Sequence, residues 1–180
     1  MDSVHIASTN PVVVQKSFLH DNTHWLNDPA WNGGPSHDDN IQVVIGKNIR
    51  ITDNTIYGAF NAALMISQDK GAVTDLVMSG NVIGGGGCSV NIAAKTYGPV
   101  YASFLNNKFN RDQRLKNCAI TRGPSDVLTV TGNSWSDNGA VVAATDPRLT
   151  ASIADRTGIT RSRFGRRWSF RPPRESSRSG

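Results

Sequence analysis

Three consecutive residues, His37-Asp38-Asp39, carry the strongest chemical signal in the chain. An imidazole holds or moves a proton near neutral pH, and a neighbouring carboxylate can orient it. Read as an acid–base pair, His37 and Asp38 would abstract a proton from a substrate or return one to it. Two carboxylates with carbonyl oxygens and water also suit Ca²⁺, and Asp and His equally cap turns by bonding local backbone. The motif closes a segment, residues 20–40, that holds three of the four histidines, two of the four tryptophans and four aspartates. Trp25 and Trp31 offer flat faces to the C–H side of sugar rings, or else fold the loop onto its support. A loop of this length in a compact fold is unusual unless it is functional or disordered, and its aromatic content argues against disorder.

Cations come next. Lys47 and Lys70 lie four residues after the apolar positions Val43 and Ile66, and Lys95 lies three after Ile92. Stacked on one another, they would form a basic edge facing the histidine-bearing loop. Such an edge suits uronate carboxylates or sulfates, and a lysine near Tyr57 or Tyr97 would assist proton abstraction; Lys70 is the candidate for that role. A solvated edge that discourages strand pairing explains the same row. The glycine run Gly84–Gly87 lacks the Lys-Ser/Thr and helix context of a phosphate cradle and reads as a turn. No cofactor motif is present, and Ca²⁺ is the one ion the loop would suit.

The elements that must position these residues follow from a repeat. The segments Ile49–Ile56, Leu76–Ile83, Ala102–Phe109 and Leu128–Trp135 align as apolar-x-apolar-x-x-Asn-x-apolar, and their asparagines, Asn54, Asn81, Asn107 and Asn133, are 27, 26 and 26 residues apart. An earlier segment, Val12–Leu19, fits with Ser17 in the asparagine position. Apolar residues two apart make half-buried strands, because alternate side chains share a face. The Asp-Asn, Gly-Asn or Asn-Asn pair makes a tight turn, since these residues tolerate the left-handed conformation best. A further pair follows in each period: Ile41/Val43, Leu64/Ile66, Val90/Ile92 and a weaker Cys118/Ile120. A repeat of this size buries its apolar face only by stacking, which predicts an all-β solenoid of about five coils, three short strands per coil. The asparagines would then bond to one another along the axis.

The same register places the cysteines. Cys88 precedes Val90 by two residues and Cys118 precedes Ile120 by two, so they occupy one row on adjacent coils. Strands lie ~4.8 Å apart in a sheet, within reach of a disulfide. A Cys88–Cys118 bridge, implying an oxidising compartment, and a pair of buried thiols both satisfy the spacing. Two cysteines so placed make no zinc site.

With its asparagine turn, the chain resembles the pectate-lyase-like right-handed parallel β-helix superfamily over about residues 10–145. That resemblance implies a substrate groove on one strand face and its flanking loops, where the outward residues Gln42, Met65, Asn91 and Thr121 fall. It implies an extracellular, acidic polysaccharide substrate and lyase, epimerase or hydrolase chemistry. Gln42, Asn91 and Lys95, with Trp25 and Trp31, would then bind substrate, while His37, Asp38 and Lys70 act on it. Some alginate epimerases and lyases of the superfamily carry an Asp-Pro-His-Asp or Asp-Pro-His-Glu cluster. Here the run is Gly34-Pro35-Ser36-His37-Asp38, which keeps the second half and departs in the first. The other reading is a non-catalytic solenoid that binds glycans or serves a structural, adhesin-like role.

Composition sets the outer bounds. In 180 residues, 38% hydrophobic and 18% charged, there is room for one domain, and no apolar run reaches the ~20 residues of a membrane span. The net charge of +5 divides sharply, residues 1–146 carrying a net −2 and residues 147–180, with nine arginines, a net +7. The division marks a solenoid domain over 1–146 and a basic, low-complexity tail over 147–180, expected to be disordered. The tail has too few aromatics to predict specific nucleic-acid binding. The opening MDSVHIASTNPVVV lacks the basic and apolar regions of a signal peptide, although a secreted or cell-surface location is expected. Five coils are few, which suggests part of a longer solenoid or one needing a cap or partner; the oligomeric state is left open.

Overall fold

The computed structural model describes residues 2–93 and 97–143. Lys95 and the whole of the 147–180 tail lie outside the described residues. The chain is an all-β parallel solenoid of about four turns. Its strands stack in three columns. The first holds β1 (Val4–Ser8), the front of β4 (Asp39–Thr52), β6 (Ala62–Ile66) and β9 (Val90–Ile92). The second holds β2 (Val12–Gln15), the rest of β4, β7 (Val73–Ser79), β10 (Tyr101–Leu105) and β12 (Val127–Thr131). The third holds β3 (Phe18–Leu19), β5 (Thr55–Ile56), β8 (Val82–Ile83), β11 (Lys108–Phe109) and β13 (Ser134–Trp135). Every pairing between these strands is parallel.

The layers number five in the third column, but the last has only an isolated bridge, Val90↔Ile120, where the first column would continue. That is why five expected coils amount to about four turns. In the second layer the first two strands run together as the 14-residue β4. Their corner survives as left-handed Asn48 (φ 56°), level with left-handed Asp75 (φ 52°) in the layer beyond. Ile120 stands opposite Val90 rather than Ile92, so Cys118 falls level with Cys88. The two are joined by a disulfide with Cα atoms 4.7 Å apart.

Apolar rows fill the interior because each alternate side chain meets its counterpart one layer away. Ile51, Met78 and Phe104 form one such row and Ile56, Ile83 and Phe109 another, all with no exposed surface. At the third-column turn, Asn54, Asn81, Asn107 and Asn133 are buried and form a ladder. Each of the first three donates through Nδ2 to the next Oδ1 at 2.9 Å. That oxygen also accepts the preceding asparagine's backbone N–H, at 2.9–3.0 Å. Each Nδ2 reaches a second acceptor, a strand carbonyl of the preceding layer: Val14, Ile51, Met78 and Phe104 in turn. Ser17 ends the ladder, its N–H donating to Asn54 Oδ1 at 3.0 Å.

The residue before each asparagine is left-handed: Asp53, Gly80, Asn106 and Gly132 have φ of 56°, 69°, 54° and 69°. A Cβ on Gly80 would lie 2.5 Å from Asp53 Oδ1, and one on Gly132 would collide with Asn106 Oδ1. A side chain at either position would need the Asp53 or Asn106 side chain one layer before it to shift, and glycine takes the left-handed conformation at least cost.

Replacing Asn107 with Ala would leave the Asn81 backbone N–H without its partner in the core and would break the rungs to Asn133 and the Met78 carbonyl, while Asn81 Nδ2 keeps the Ile51 and Ser79 carbonyls. At about 1–3 kcal/mol for a buried group left unsatisfied, the expected cost is about 1–3 kcal/mol. Urea unfolding followed by circular dichroism measures it, and a loss below about 1 kcal/mol would show that the ladder is incidental to the stack.

Candidate functional site

The segment between β3 and β4 is ordered by its own polar groups. Trp25 and Ser36 form one rung: the Trp25 N–H donates to Ser36 Oγ at 2.9 Å and the Ser36 N–H to the Trp25 carbonyl at 2.7 Å. Asp28 and Gly34 form a second, antiparallel rung. Between them lies a 3₁₀ turn, Pro29–Trp31, capped by Asp28 Oδ1 accepting the Ala30 N–H and ended by left-handed Asn32. Beneath the loop, Asn22 Nδ2 donates to the Asp39 carbonyl at 2.7 Å and Asn40 Nδ2 to Asn22 Oδ1 at 2.9 Å. These bonds tie the loop to the strand it precedes.

Two cavities flank the tip of the loop. One, of about 520 Å³, is lined by Thr23, Trp25, Asp28, Trp31, Ser36 and His37. The other, of about 420 Å³, is lined by Asp2, Trp31, His37, Gln42, Met65, Ser67 and Asp69. Trp31 and His37, with ring centroids 5.4 Å apart, are the wall they share. Trp25 and Trp31 are more than half exposed, at 58% and 53%. Gln42, on the outward face of the first column, donates to Ser67 Oγ at 3.3 Å and borders the second cavity. Asn91 lies two layers from Gln42 in the same outward row, where its Oδ1 accepts from Thr121 Oγ1.

His37 and Asp38 do not meet as a pair. In extended chain, successive side chains point to opposite faces. His37 faces the cavities, and Asp38 turns inward with no exposed surface. Asp38 is fully engaged there: Oδ1 lies 2.7 Å from His24 Nδ1 and 3.3 Å from Ser36 Oγ, and Oδ2 accepts the Phe60 N–H at 2.7 Å. His24 stacks on Phe60 at 3.6 Å, and the Arg114 guanidinium lies over the Phe60 ring at 3.7 Å. Ser36, His24 and Asp38 thus share one cluster, yet Ser36 and Asp38 both approach Nδ1. A proton relay would need the serine at Nε2, so this arrangement holds the loop and does not activate a nucleophile.

The carboxylate beside His37 is Asp39, two residues on and therefore on the same face, with Oδ2 3.5 Å from Nδ1. Asp39 is wholly buried. Oδ1 accepts from Asn61 Nδ2 at 2.7 Å, while Oδ2 has no hydrogen-bond partner. Burial, reinforced by the negative charge of Asp2 and Asp38 and opposed by the bond from Asn61, raises its pKa from the ordinary 3.8 to about 7. Sequence spacing contained this pair through the two-residue alternation; the His24–Asp38 contact had no local signal.

Lys70 is exposed and lines neither cavity. It also does not stack on Lys47. Val43 pairs with Ile66 but Gly46 pairs with Val73, so the third layer carries four extra residues at this corner and Lys47 stands opposite Thr74. Among the described residues no group of three or more His, Cys, Asp or Glu is placed to hold a metal ion.

Because the folded state holds the Asp39 proton more tightly than the unfolded chain, this group's contribution to stability is complete below its ordinary value of 3.8. It is lost as pH rises through about 7. An Asp39→Asn variant keeps the acceptor for Asn61 and removes the titration. Its melting temperature is expected to match the parent near pH 4 and to exceed it near pH 8. Parallel melting curves for the two proteins across that range would exclude a raised pKa at Asp39.

Compared with known proteins, the chain matches no family model, no curated protein and no solved structure.

Proposed function

We propose that this solenoid binds a polysaccharide in the cleft formed by the two cavities at the loop tip. The observation that carries the reading is the pair of half-exposed tryptophans on one cavity, Trp31 also walling the next. Large aromatic faces left open to water on an anchored loop are costly unless something covers them, and sugar rings cover them with their C–H faces. The cleft continues onto the outward strand face at Gln42, which is where the resemblance to pectate-lyase-like β-helices would put substrate. The disulfide fits an oxidising, extracellular setting, and no helix among the described residues is long and apolar enough to cross a membrane. A polymer with uronate or sulfate groups, the substrate expected from the lysines, would draw on Lys70 and Lys95 outside the described cleft lining.

A second reading, acid–base catalysis at the same place, is favoured by Asp39. A buried carboxyl raised to about 7 beside a cavity-facing imidazole resembles the tuned acids and bases of enzymes acting near neutral pH. In it His37 exchanges the proton with substrate and Asp39 adjusts the ring. Asp38 serves by positioning His24 and the loop.

Affinity electrophoresis through gels carrying individual polysaccharides tests the binding. Trp25→Ala and Trp31→Ala are each expected to weaken retention about tenfold, the scale of a lost aromatic platform. Retention that ignores both substitutions would refute the cleft. Catalysis is tested separately by unsaturated-uronate absorbance and by reducing-end release. Product formation abolished by His37→Gln, with retention kept, is the outcome expected of the second reading. The absence of any product across neutral and acidic polymers leaves binding as the function.

A further inference from the structure

Thr23 and Trp25 line the first cavity of the loop, whereas His24 between them lines a third, of about 360 Å³. Its other walls come from three successive connections between the third column and the first, which bring Tyr57 with Phe60, Gly86, and Asp112 with Arg114. Arg114 is fixed in place there. Its backbone N–H donates to the Gly86 carbonyl at 2.9 Å, and its guanidinium lies over the Phe60 ring at 3.7 Å. Nε and Nη2 both donate to the Phe60 carbonyl, at 3.1 and 2.9 Å, and the Phe60 N–H is in turn held by Asp38 Oδ2. One edge of the guanidinium is thus spent on a neutral carbonyl. The other, Nη1 with the second hydrogen of Nη2, meets no acceptor among the described residues. No described carboxylate pairs with it either. Asp112 gives Oδ1 to the Gly85 N–H at 2.8 Å, and Asp38 has both oxygens bonded elsewhere.

A cation without a direct counter-charge, its two-pronged edge open beside a cavity, matches the planar fork that binds a carboxylate through two parallel bonds. Asp112 Oδ2 is left over from the turn it caps and can accept from hydroxyls, and the half-buried Tyr57 ring offers a face to C–H groups. The negative charge of Asp112 also confines an anion to the Arg114 edge. We propose that this third cavity is a uronate subsite, in which the sugar carboxylate takes the Nη1–Nη2 edge of Arg114 and sugar hydroxyls meet Asp112. The proposal rests on the loop being a glycan-binding surface and names the class of sugar and the residue that reads it. It gives the carboxylate a partner apart from Lys70 and Lys95, on the side of the loop away from Trp25.

Titration calorimetry of the whole chain with tetramers of galacturonate and of mannuronate, each as free acid and as methyl ester, tests it. For at least one of these sugars the acid is expected to bind about tenfold more tightly than its ester at low salt, and the gap should close as salt rises. Arg114→Gln should make acid and ester bind alike. Arg114→Lys keeps the charge but loses the fork, and should give up most of the preference. Circular dichroism of both variants checks the stack, and where Arg114→Gln disturbs it Arg114→Lys alone decides. Equal binding of acid and ester by the parent, weakened by Trp31→Ala, would overturn the subsite and keep the glycan cleft. So would a preference for the acid that survives in Arg114→Gln, or retention of neutral polysaccharides with no binding of any tetramer. Failure of the tetramers and of neutral polysaccharides alike would overturn the glycan reading itself.

Discussion

A column of four buried amides governs this molecule. Each of the first three asparagines in the third-column turn bonds to the amide of the next layer, and all four bond to a strand carbonyl of the previous one, so neighbouring layers cannot slide past each other. Apolar rows alone would not fix that register, because Ile, Val, Leu and Met interchange with modest loss. With the third column locked, the lengths of the connecting segments decide where the first two columns stand. The disulfide is one result: Cys88 and Cys118 meet because the first column is in step with the ladder.

The loop before β4 uses this regularity as a foundation. Two adjacent aspartates share its base and have opposite fates. Asp38 has both oxygens bonded and serves as a fixed anchor for His24 and the Phe60 backbone. Asp39 has one oxygen bonded and one bare, in a place where negative charge is poorly solvated, so its proton stays on to about pH 7. The difference comes from which way each side chain leaves an extended backbone. A rigid anchor and a responsive group thus sit one residue apart, below a wall of Trp31 and His37.

Much of the architecture was legible in the chain because it is written in short-range spacing. Asparagine intervals, apolar pairs and left-handed turn residues report on one coil at a time, and every coil repeats the message. The cysteine pairing followed from the same rows. Within the loop, composition located the cleft-lining Trp25, Trp31 and His37 but misassigned the partner of His37, since adjacency in sequence is not adjacency in space where side chains alternate. The lysine row failed for a different reason. Four extra residues between Ile66 and Val73 break the count on which stacking of Lys47 and Lys70 depended. His24, Phe60 and Arg114 come together from three coils, and no local pattern connects them.

The turn column, from the second layer onward, alternates Asp53, Gly80, Asn106 and Gly132, and each glycine makes room for the side chain one layer before it. This gives the stack a beat of two coils beneath its apparent beat of one. Removing a single coil would bring Asp53 against Asn106, or one glycine against another, whereas removing or copying a consecutive pair would preserve the alternation. The first layer ends that rhythm: left-handed Lys16 stands one layer before Asp53, so at this end of the stack two side chains follow each other at the turn.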